Sequence, residues 1–339
     1  MAERFVKIVI ENMVIKNKFI HFFACPFTGL GLHAGFRGNV WLKNRIHIFE
    51  QFVLPSLLLN QTNTDFILWV AWRPEEKSNP LVMAFQEKLN GIRDLRFIFT
   101  FGGCFFWDDK YSDEVAAKRL MHSLEISLPE LKEIVGDNEY VLLTLQPSDD
   151  LYLCDTASRL ITTFTELLEK DPDTKKAVGY KKGYIINYAT KEIAEYNTDE
   201  WKTDNQSTYH TNTTPPFFTI LFSKDEFLDP EKHYDHIGPY KSHEYIIDYL
   251  DYTELEGRGF VVGCHGENIS TTFNHRYKGR ILSPDERDKI LLLTGTIAAE
   301  PLKIKPSARL QIRKVVNVIP LRGILKNLYY KLPGKLRII

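Results

Sequence analysis

The sequence predicts a folded α/β protein built around a central mixed sheet. Roughly the first 170 residues alternate between short apolar strands and amphipathic helices, a pattern typical of βα units around a mainly parallel sheet. The chain has 339 residues, of which 44% are hydrophobic and 26% are charged. It is therefore long enough for a large buried core, and its composition excludes disordered and collagen-like proteins.

Four strands are predicted in this first part of the chain. Each is short, rich in aromatic and β-branched residues, and bounded by Pro, Gly, Asn or Asp. They cover Lys18 to Ala24, Asp65 to Trp72, Leu95 to Phe101 and Glu139 to Leu145. Helices are expected between them. One has apolar residues at helical spacing from Leu42 to Val53, before Pro55, and another follows a cap at Asp155.

The second half of the chain has a less regular pattern. Strands are expected over Tyr184 to Tyr188, Phe217 to Phe222 and Gly259 to Cys264, and a helix over about Ser242 to Leu250. A polar stretch with aromatic residues, Asn197 to Thr214, lies between the first two of these strands. Polar loops of this kind usually surround a binding site.

The end of the chain differs from the rest in charge. Residues 301–339 carry ten basic side chains and no acidic one, which leaves 33 basic against 44 acidic residues, a net charge of −11, in the remainder. Apolar residues are interleaved with the basic ones, so we expect a basic amphipathic tail suited to an anionic membrane surface. The alternative is a tail that packs against the acidic body. The overall charge of −1 gives no reason to expect a nucleic-acid partner.

Cysteine usage and hydropathy predict the compartment. The four cysteines form no CxxC pair, which argues against a zinc finger or a dense disulfide framework and favours a reducing environment. Charged residues interrupt the apolar N-terminus, so no secretory signal is expected, and no apolar run reaches the roughly 18 residues of a membrane-spanning helix. We therefore expect a cytoplasmic protein that reaches the inner membrane face through its tail.

The strongest local pattern is LLTLQPSDDLY, residues 142–152, where an apolar strand ends in a turn with Asp149 and Asp150. Ligands of open α/β sheets bind at the carboxyl ends of strands. Two adjacent acids at this place can hold Mn²⁺ or Mg²⁺, and the cation can in turn hold a diphosphate. The alternative is an Asx turn with solvated aspartates.

This turn, together with residues 41–62 (WLKNRIHIFEQFVLPSLLLNQT) and the strand after them, resembles the bacterial rhamnosyl transferase family of GT-A-type glycosyltransferases. The resemblance extends loosely over about residues 20–280 and does not include the tail. The family's turn usually reads Thr-Arg-Leu-Asp-x-Asp-Asp. Asp149 and Asp150 match its last two acids, whereas Leu145 and Pro147 stand in place of its arginine and its first aspartate.

The resemblance implies a GT-A-like fold over residues 1–300, with a donor-binding half of about 1–175 and an acceptor-binding half of about 176–300. It also implies a single displacement that moves a sugar from a nucleotide-sugar to a glycan or lipid-linked acceptor. The resemblance implies Asp149, Asp150 and His265 as metal ligands, Asp149 and Asp150 as ligands of the donor diphosphate, and Glu244 as general base. The residue types and their positions add further candidates, namely Arg37, Arg45 and His243 as donor or phosphate ligands and Trp201 and Asn268 as acceptor ligands.

Several of these residues have a simpler alternative explanation. An acid such as Glu244 in the first turn of a helix is favourable for the helix dipole alone. A single histidine such as His265 is commonly a surface or satisfied core residue. Trp201 can stack on a sugar or be partly buried, and Arg37 lies in the glycine-rich stretch 29–39, which is either a phosphate-binding or merely a flexible loop.

Two other functions stay open at this point. One is a metal-dependent phosphohydrolase that uses the same aspartates and histidines. The other is a catalytically inactive GT-A domain that binds glycans or acts as a scaffold, which the loss of an acid at Pro147 favours. The sequence has no GxGxxG, P-loop or GxSxG motif, which argues against a dinucleotide dehydrogenase, a P-loop kinase and an α/β-hydrolase.

Overall fold

The protein has the α/β class and the central mixed sheet that the sequence predicts. This computed structural model describes residues 19–28, 38–102, 125–198, 217–237, 249–265, 268, 273–274 and 278–303. Among the described helices, none is long and apolar enough to cross a membrane. The three cysteines in these ranges are free thiols.

All four strands predicted in the first part of the chain are present. They are β1 (Phe19–Cys25), β2 (Ile67–Ala71), β3 (Phe97–Thr100) and β4 (Tyr140–Leu145). The helices between them are α1 (Asn39–Ile48), α2 (Leu54–Gln61) and α3 (Pro80–Asn90), with a 3₁₀ turn over Pro74–Ser78 and a helical segment over 125–135. Phe23 and Phe22 of β1 belong to two different apolar clusters. The strand is thus buried on both faces, as expected of a central parallel strand.

The second half of the chain adds strands to two sheets. They are β5 (Leu151–Tyr152), β6 (Lys176–Gly179), β7 (Lys182–Asn187), β8 (Ile193–Asn197), β9 (Phe218–Ser223), β10 (Asp251–Glu254), β11 (Arg258–Cys264) and β12 (Lys278–Ile281). The helices are α4 (Thr156–Lys170), α5 (Lys224–Leu228), α6 (Pro230–Ile237) and α7 (Pro284–Leu293). β7, β9 and β11 confirm the three strands predicted here. The predicted helix near 242–250 lies almost wholly outside the described residues.

The larger sheet has seven strands in the order β10-β6-β9-β4-β1-β2-β3. β3, β2, β1 and β4 run parallel, whereas β9 is antiparallel to both β4 and β6. The chain passes from β1 to β2 and β3 on one side and later places β4 on the other side of β1. The carboxyl ends of β1 and β4 therefore lie where the strand order reverses, which is the usual ligand-binding position in open α/β sheets.

A smaller sheet begins just after β4. Its five strands have the order β12-β8-β7-β11-β5, and β5 is antiparallel to β11, with Tyr152 opposite Phe260. Only residues 146–150 separate β4 of the larger sheet from β5 of the smaller one along the chain. The acidic turn is thus one of the connections between the two sheets.

The helix predicted before Pro55 continues through that proline. α1 and α2 are joined by a π-helical turn over Phe49–Val53, so residues 39–61 form one helical run. The Leu54 N–H donates to the carbonyl of Phe49, five residues earlier. Because proline has no N–H to donate, this wider turn lets Pro55 lie in the first turn of α2, where no donor is needed.

α4 begins after Asp155, as predicted, but the Asp155 side chain makes no capping hydrogen bond. Asn60 of α2 takes that role, since its Oδ1 accepts from the Ala157 N–H at 3.1 Å. The Asn60 side chain is fully buried and its Nδ2 donates to the Ser56 carbonyl at 3.0 Å. The predicted Asp155 cap is therefore wrong, because a neighbouring helix supplies the acceptor.

The last described residues pack on the body of the protein. Leu302 is buried in an apolar cluster with residues of the smaller sheet, and its N–H donates to the Tyr188 carbonyl at 2.8 Å. The start of the predicted tail is therefore part of the folded body. Residues 304–339 lie outside the described residues.

Candidate functional site

The turn after β4 is held from within by Gln146. The Gln146 N–H donates to the Ala24 carbonyl of β1 at 2.8 Å. Its side-chain Nε2 donates to the carbonyls of Pro147 and Asp150, at 2.7 and 2.9 Å. The turn buries Asp149 and Asp150, each only 8% exposed, so the solvated Asx turn considered above does not describe these carboxylates.

One carboxylate oxygen of Asp149 is the centre of the site. Its Oδ2 lies 2.5 Å from Arg45 Nη1, 3.0 Å from His265 Nε2 and 3.1 Å from Asn268 Nδ2. Arg45 belongs to α1, whereas His265 and Asn268 follow β11. The fold therefore brings together residues that are far apart in the sequence. Each of them was predicted from the sequence as a site residue.

The two adjacent carboxyl groups have pKa values that are shifted in opposite directions. Burial alone would raise the pKa of Asp149, but the Arg45 charge and the His265 hydrogen bond outweigh burial and hold this pKa well below its usual range. Burial, followed by the nearby Asp149 charge, raises the pKa of Asp150 well above its usual range. The pKa values of the two acids are therefore shifted in opposite directions, and Asp149 is the more acidic of the pair.

Asp150 faces the smaller sheet. Its Oδ1 accepts a hydrogen bond from the Gly263 N–H of β11 at 2.7 Å. A Cβ atom at Gly263 would lie 1.9 Å from the Asp149 carbonyl oxygen and 2.6 Å from the Tyr188 hydroxyl. Only glycine allows β11 to approach the turn this closely.

Tyr188 binds the backbone of the turn next to the acid pair. Its hydroxyl donates to the Asp149 carbonyl at 2.7 Å, and its ring stacks on Phe52 of the π-helical turn with centroids 3.9 Å apart. Burial raises the pKa of Tyr188 well above its usual range, so the hydroxyl stays a donor. The turn is thus fixed by side chains from both sheets and from the helical run.

Arg45 is a buried cation with unused hydrogen-bonding capacity. Its side chain is 4% exposed, and its guanidinium carbon lies 5.3 Å from the Trp41 ring centroid. Nη1 is buried and makes no hydrogen bond of good geometry within the part of the chain that the structure describes, despite its short distance to Asp149. Charge attraction is therefore the main link between Arg45 and the turn.

The arrangement does not fit a divalent cation as it stands. Within the described residues, no group of three or more His, Cys, Asp or Glu side chains is placed to hold a metal ion. Asp149 Oδ2 is already the acceptor of nitrogen donors, and the Oδ1 of Asp150 is engaged by Gly263. The predicted ligands Asp149, Asp150 and His265 are adjacent, but they bind to one another and to their neighbours.

The remaining candidates are placed only in part. Arg37, Trp201, His243 and Glu244 lie outside the described residues, so their roles stay predictions. Asn268, predicted to contact the acceptor, uses both ends of its amide inside the site: Oδ1 accepts from the His265 N–H at 2.7 Å and Nδ2 donates to Asp149 and to the Gly263 carbonyl.

Three supporting residues were not selected from the sequence, namely Gln146, Tyr188 and Gly263. Only Gly263 carried a signal, because a glycine inside a predicted strand often marks a close approach of another backbone. Gln146 and Tyr188 are polar and aromatic residues at strand ends, and many such residues have no role in a site. Their contacts follow from the tertiary structure alone.

The fold and the site together define an α/β protein with a buried acid–base cluster at the carboxyl edge of its parallel strands, where the strand order reverses. No family model and no curated protein matches the chain.

The solved structures that are similar to this chain include the following two. One is residues 1–349 of TarS, a glycosyltransferase from S. aureus, with 10% identity, a TM-score of 0.31, and coverage of 90% of this chain and 82% of TarS. The other is a proposed nucleotide-diphospho-sugar transferase from Desulfovibrio desulfuricans G20, with 14% identity, a TM-score of 0.32, and coverage of 83% of this chain and 97% of the other. At these identities and TM-scores, neither likeness bears on the residues of the site.

Proposed function

We propose that the protein is a glycosyltransferase that moves a sugar from a nucleotide-sugar donor to a glycan or lipid-linked acceptor in cell-surface polysaccharide synthesis. The observation that carries the proposal is the buried Asp149–Asp150 turn beside Arg45, at the strand-order reversal of the larger sheet. Arg45 lies within residues 41–62, and the turn is the other segment that resembles the rhamnosyl transferase family. The two segments that carry the resemblance are thus in contact.

In the proposed reaction, an acceptor hydroxyl attacks the anomeric carbon of the donor sugar. The bond from that carbon to the diphosphate breaks, the nucleoside diphosphate leaves, and the hydroxyl proton passes to a base, for which we propose Glu244. Positive charge near the leaving diphosphate lowers the barrier. Arg45 is the buried cation available for this role, and Arg37 and His243 are proposed as further phosphate ligands.

The expected Mn²⁺ or Mg²⁺ stays a prediction, and no step above depends on it. A rhamnosyl donor, an acceptor contact by Trp201 and a cytoplasmic location at the inner membrane face are likewise proposals. They rest on the resemblance and on the charge pattern of the tail.

A scaffold or glycan-binding role is the second candidate. It is favoured by the fact that three internal donors, from Arg45, His265 and Asn268, already bind the Asp149 carboxylate. Such a network can serve to hold the two sheets together without any ligand. The two candidates differ in whether a nucleotide binds next to the turn.

Calorimetric titration with UDP, GDP and dTDP tests the proposal, each in the presence of Mn²⁺. The Asp150 side chain accepts a hydrogen bond from the Gly263 N–H that helps to hold the turn in place; an Asn side chain keeps that acceptor, whereas Ala removes it. We therefore expect one nucleotide to bind, with affinity reduced about tenfold or more in Asp150→Ala and retained within about threefold in Asp150→Asn.

The matched control is Asp155→Asn, which changes an exposed acid a few residues away and should leave binding unchanged. Failure of all three nucleotides to bind the wild type, in a protein that unfolds cooperatively, would reject the transferase and favour the scaffold.

A further inference from the structure

The carboxylate of Asp149 is paired with a cationic side chain of the protein, that of Arg45. The Arg45 guanidinium lies 2.5 Å from Asp149 Oδ2, and the two side chains are 4% and 12% exposed. His265 Nε2 and Asn268 Nδ2 bind the same oxygen, and the His265 side chain is fully buried. A charge pair this deeply buried is stable only when each partner offsets the other.

We infer that Arg45 takes the place of the divalent cation at this turn, so that the site binds the diphosphate of a nucleotide without a metal ion. The inference rests on the proposed function for the identity of the ligand. The role of Arg45 as the counter-charge of Asp149 rests on the geometry alone.

A divalent cation would have to displace several existing contacts. A small hard cation lies about 2.1 Å from its oxygen ligands, a position next to Asp149 Oδ2 that the guanidinium already occupies. His265 directs Nε2 at the carboxylate as a donor, so that nitrogen has no lone pair to offer. Asp150 would have to give up its hydrogen bond to the Gly263 N–H. The buried guanidinium of Arg45 would also repel a cation of charge +2 at this position.

The guanidinium has the properties that a diphosphate site requires. Arginine presents five N–H donors in a planar fork that matches phosphate oxygens, and it keeps its charge at every physiological pH. Trp41 holds the guanidinium carbon from one side, at 5.3 Å from the ring centroid. The cation is thus fixed in position before any ligand arrives.

The test compares nucleotide binding in EDTA with binding in Mn²⁺, using UDP, GDP and dTDP as probes and the full chain. We expect the nucleotide that binds to have the same affinity in both buffers, within about threefold. Arg45→Met should reduce the affinity about tenfold or more in both buffers, and Arg45→Lys should reduce it less, because charge remains but the fork is lost. The control Arg96→Met removes an exposed ion pair with Asp65 and should change nothing.

A second measurement uses only Mn²⁺ and the wild-type protein, so it depends neither on nucleotide binding nor on the folding of an Arg45 variant. The free Mn²⁺ signal in electron paramagnetic resonance, titrated with wild-type protein, should show no stoichiometric binding. If Arg45→Lys or Arg45→Met folds, the Met variant should gain Mn²⁺ affinity relative to the Lys variant, because Asp149 then lacks a cationic partner.

The outcomes separate this inference from the proposed function. Nucleotide binding that requires Mn²⁺ overturns the inference and leaves the transferase in place. Absence of nucleotide binding in both buffers rejects the transferase, and the Mn²⁺ titration then decides on Arg45 by itself. Stoichiometric Mn²⁺ binding by the wild type, lost in Asp149→Asn, overturns the inference in either case.

Discussion

Asp149 is the residue on which α1, the end of β4 and the end of β11 converge. Its backbone carbonyl accepts from Tyr188 and its carboxylate binds Arg45, His265 and Asn268. The contacts of His265 and Asn268, which follow β11, need the turn to lie within hydrogen-bond distance of that strand. The residue that permits this distance is Gly263, because any Cβ at that position would overlap the Asp149 carbonyl.

Gly263→Ala should therefore lower the free energy of unfolding by about 3 kcal/mol or more, since either β11 or the turn must move. Urea unfolding measures the change. Gly91→Ala is the control, because its nearest neighbour would be in ordinary contact at 3.4 Å, and its effect should stay within about 0.5 kcal/mol. Equal losses of stability for Gly263→Ala and Gly91→Ala would show that the close approach of β11 to the turn does not require a glycine at position 263.

Buried histidines outside the site make the stability depend on pH. Burial lowers the pKa of His233 to about 4 and that of His21 to about 3. Between pH 6.5 and these values the unfolded chain binds more protons than the folded one, so the free energy of unfolding falls as the pH falls.

His233→Phe should reduce the loss of stability between pH 6.5 and 5 by about 1.5 kcal/mol. The measurement compares the slope of the free energy of unfolding against pH. The absolute free energy is not compared, because a larger ring against Phe222 and Phe227 also changes it. His47→Gln changes an exposed histidine and should leave the slope as in the wild type. Parallel curves for His233→Phe and the wild type would refute the assignment.

Local sequence pattern predicts the strands that are rich in aromatic and β-branched residues and fails for those that lack this composition or are very short. β1 and β4 are runs of aromatic and β-branched residues, so their own pattern was sufficient. β5 has two residues and β12 reads KGRI, and both exist because β11 and β8 pair with them. In the site, the acids could be predicted from their position after β4.

The π-helical turn is the element that connects the helical run to the site. It places Phe52, which is fully buried, against the Tyr188 ring, and Tyr188 in turn binds the Asp149 carbonyl. A regular α-helix over the same residues would rotate this ring away from Tyr188, since a π turn adds one residue to the helical circuit.

Phe52→Ala should lower the free energy of unfolding by about 4 kcal/mol, because it leaves a cavity beside Tyr188. Phe52→Leu should cost less than about half of that, as it keeps most of the volume. Thermal and urea unfolding measure both. Met83→Ala, on an exposed side chain of α3, is the control and should stay within about 0.5 kcal/mol. Similar losses for the Leu and Ala variants would contradict a packing role.

The whole molecule has an acidic body and a basic end. The body up to residue 300 has a net charge of −11, and residues 301–339 carry the opposite sign. Because Leu302 is buried, the junction between the two is anchored on the smaller sheet. A proposal about the tail therefore concerns the residues after Lys303.

Truncation after Lys303 should abolish binding to vesicles rich in phosphatidylserine in low salt, because each basic residue near such a surface contributes about 1 kcal/mol. Sedimentation with vesicles measures it, with neutral phosphatidylcholine vesicles as the control. The melting temperature of the body should stay unchanged. Unchanged sedimentation would reject the membrane role, and a lowered melting temperature would favour a tail packed on the body.

The connection of the two sheets through residues 146–150 has a consequence for exchange with solvent. The Gly263 N–H donates to the Asp150 carboxylate at the end of this turn. The Gln146 N–H, at its start, donates to the Ala24 carbonyl of β1. Opening β11 alone would leave the buried carboxylates of Asp150 and Asp149 without their donors from Gly263, His265 and Asn268, which is costly. The two amide protons should therefore exchange with deuterium only through the same large-scale opening, with equal protection, so that the protein unfolds as one cooperative unit across both sheets.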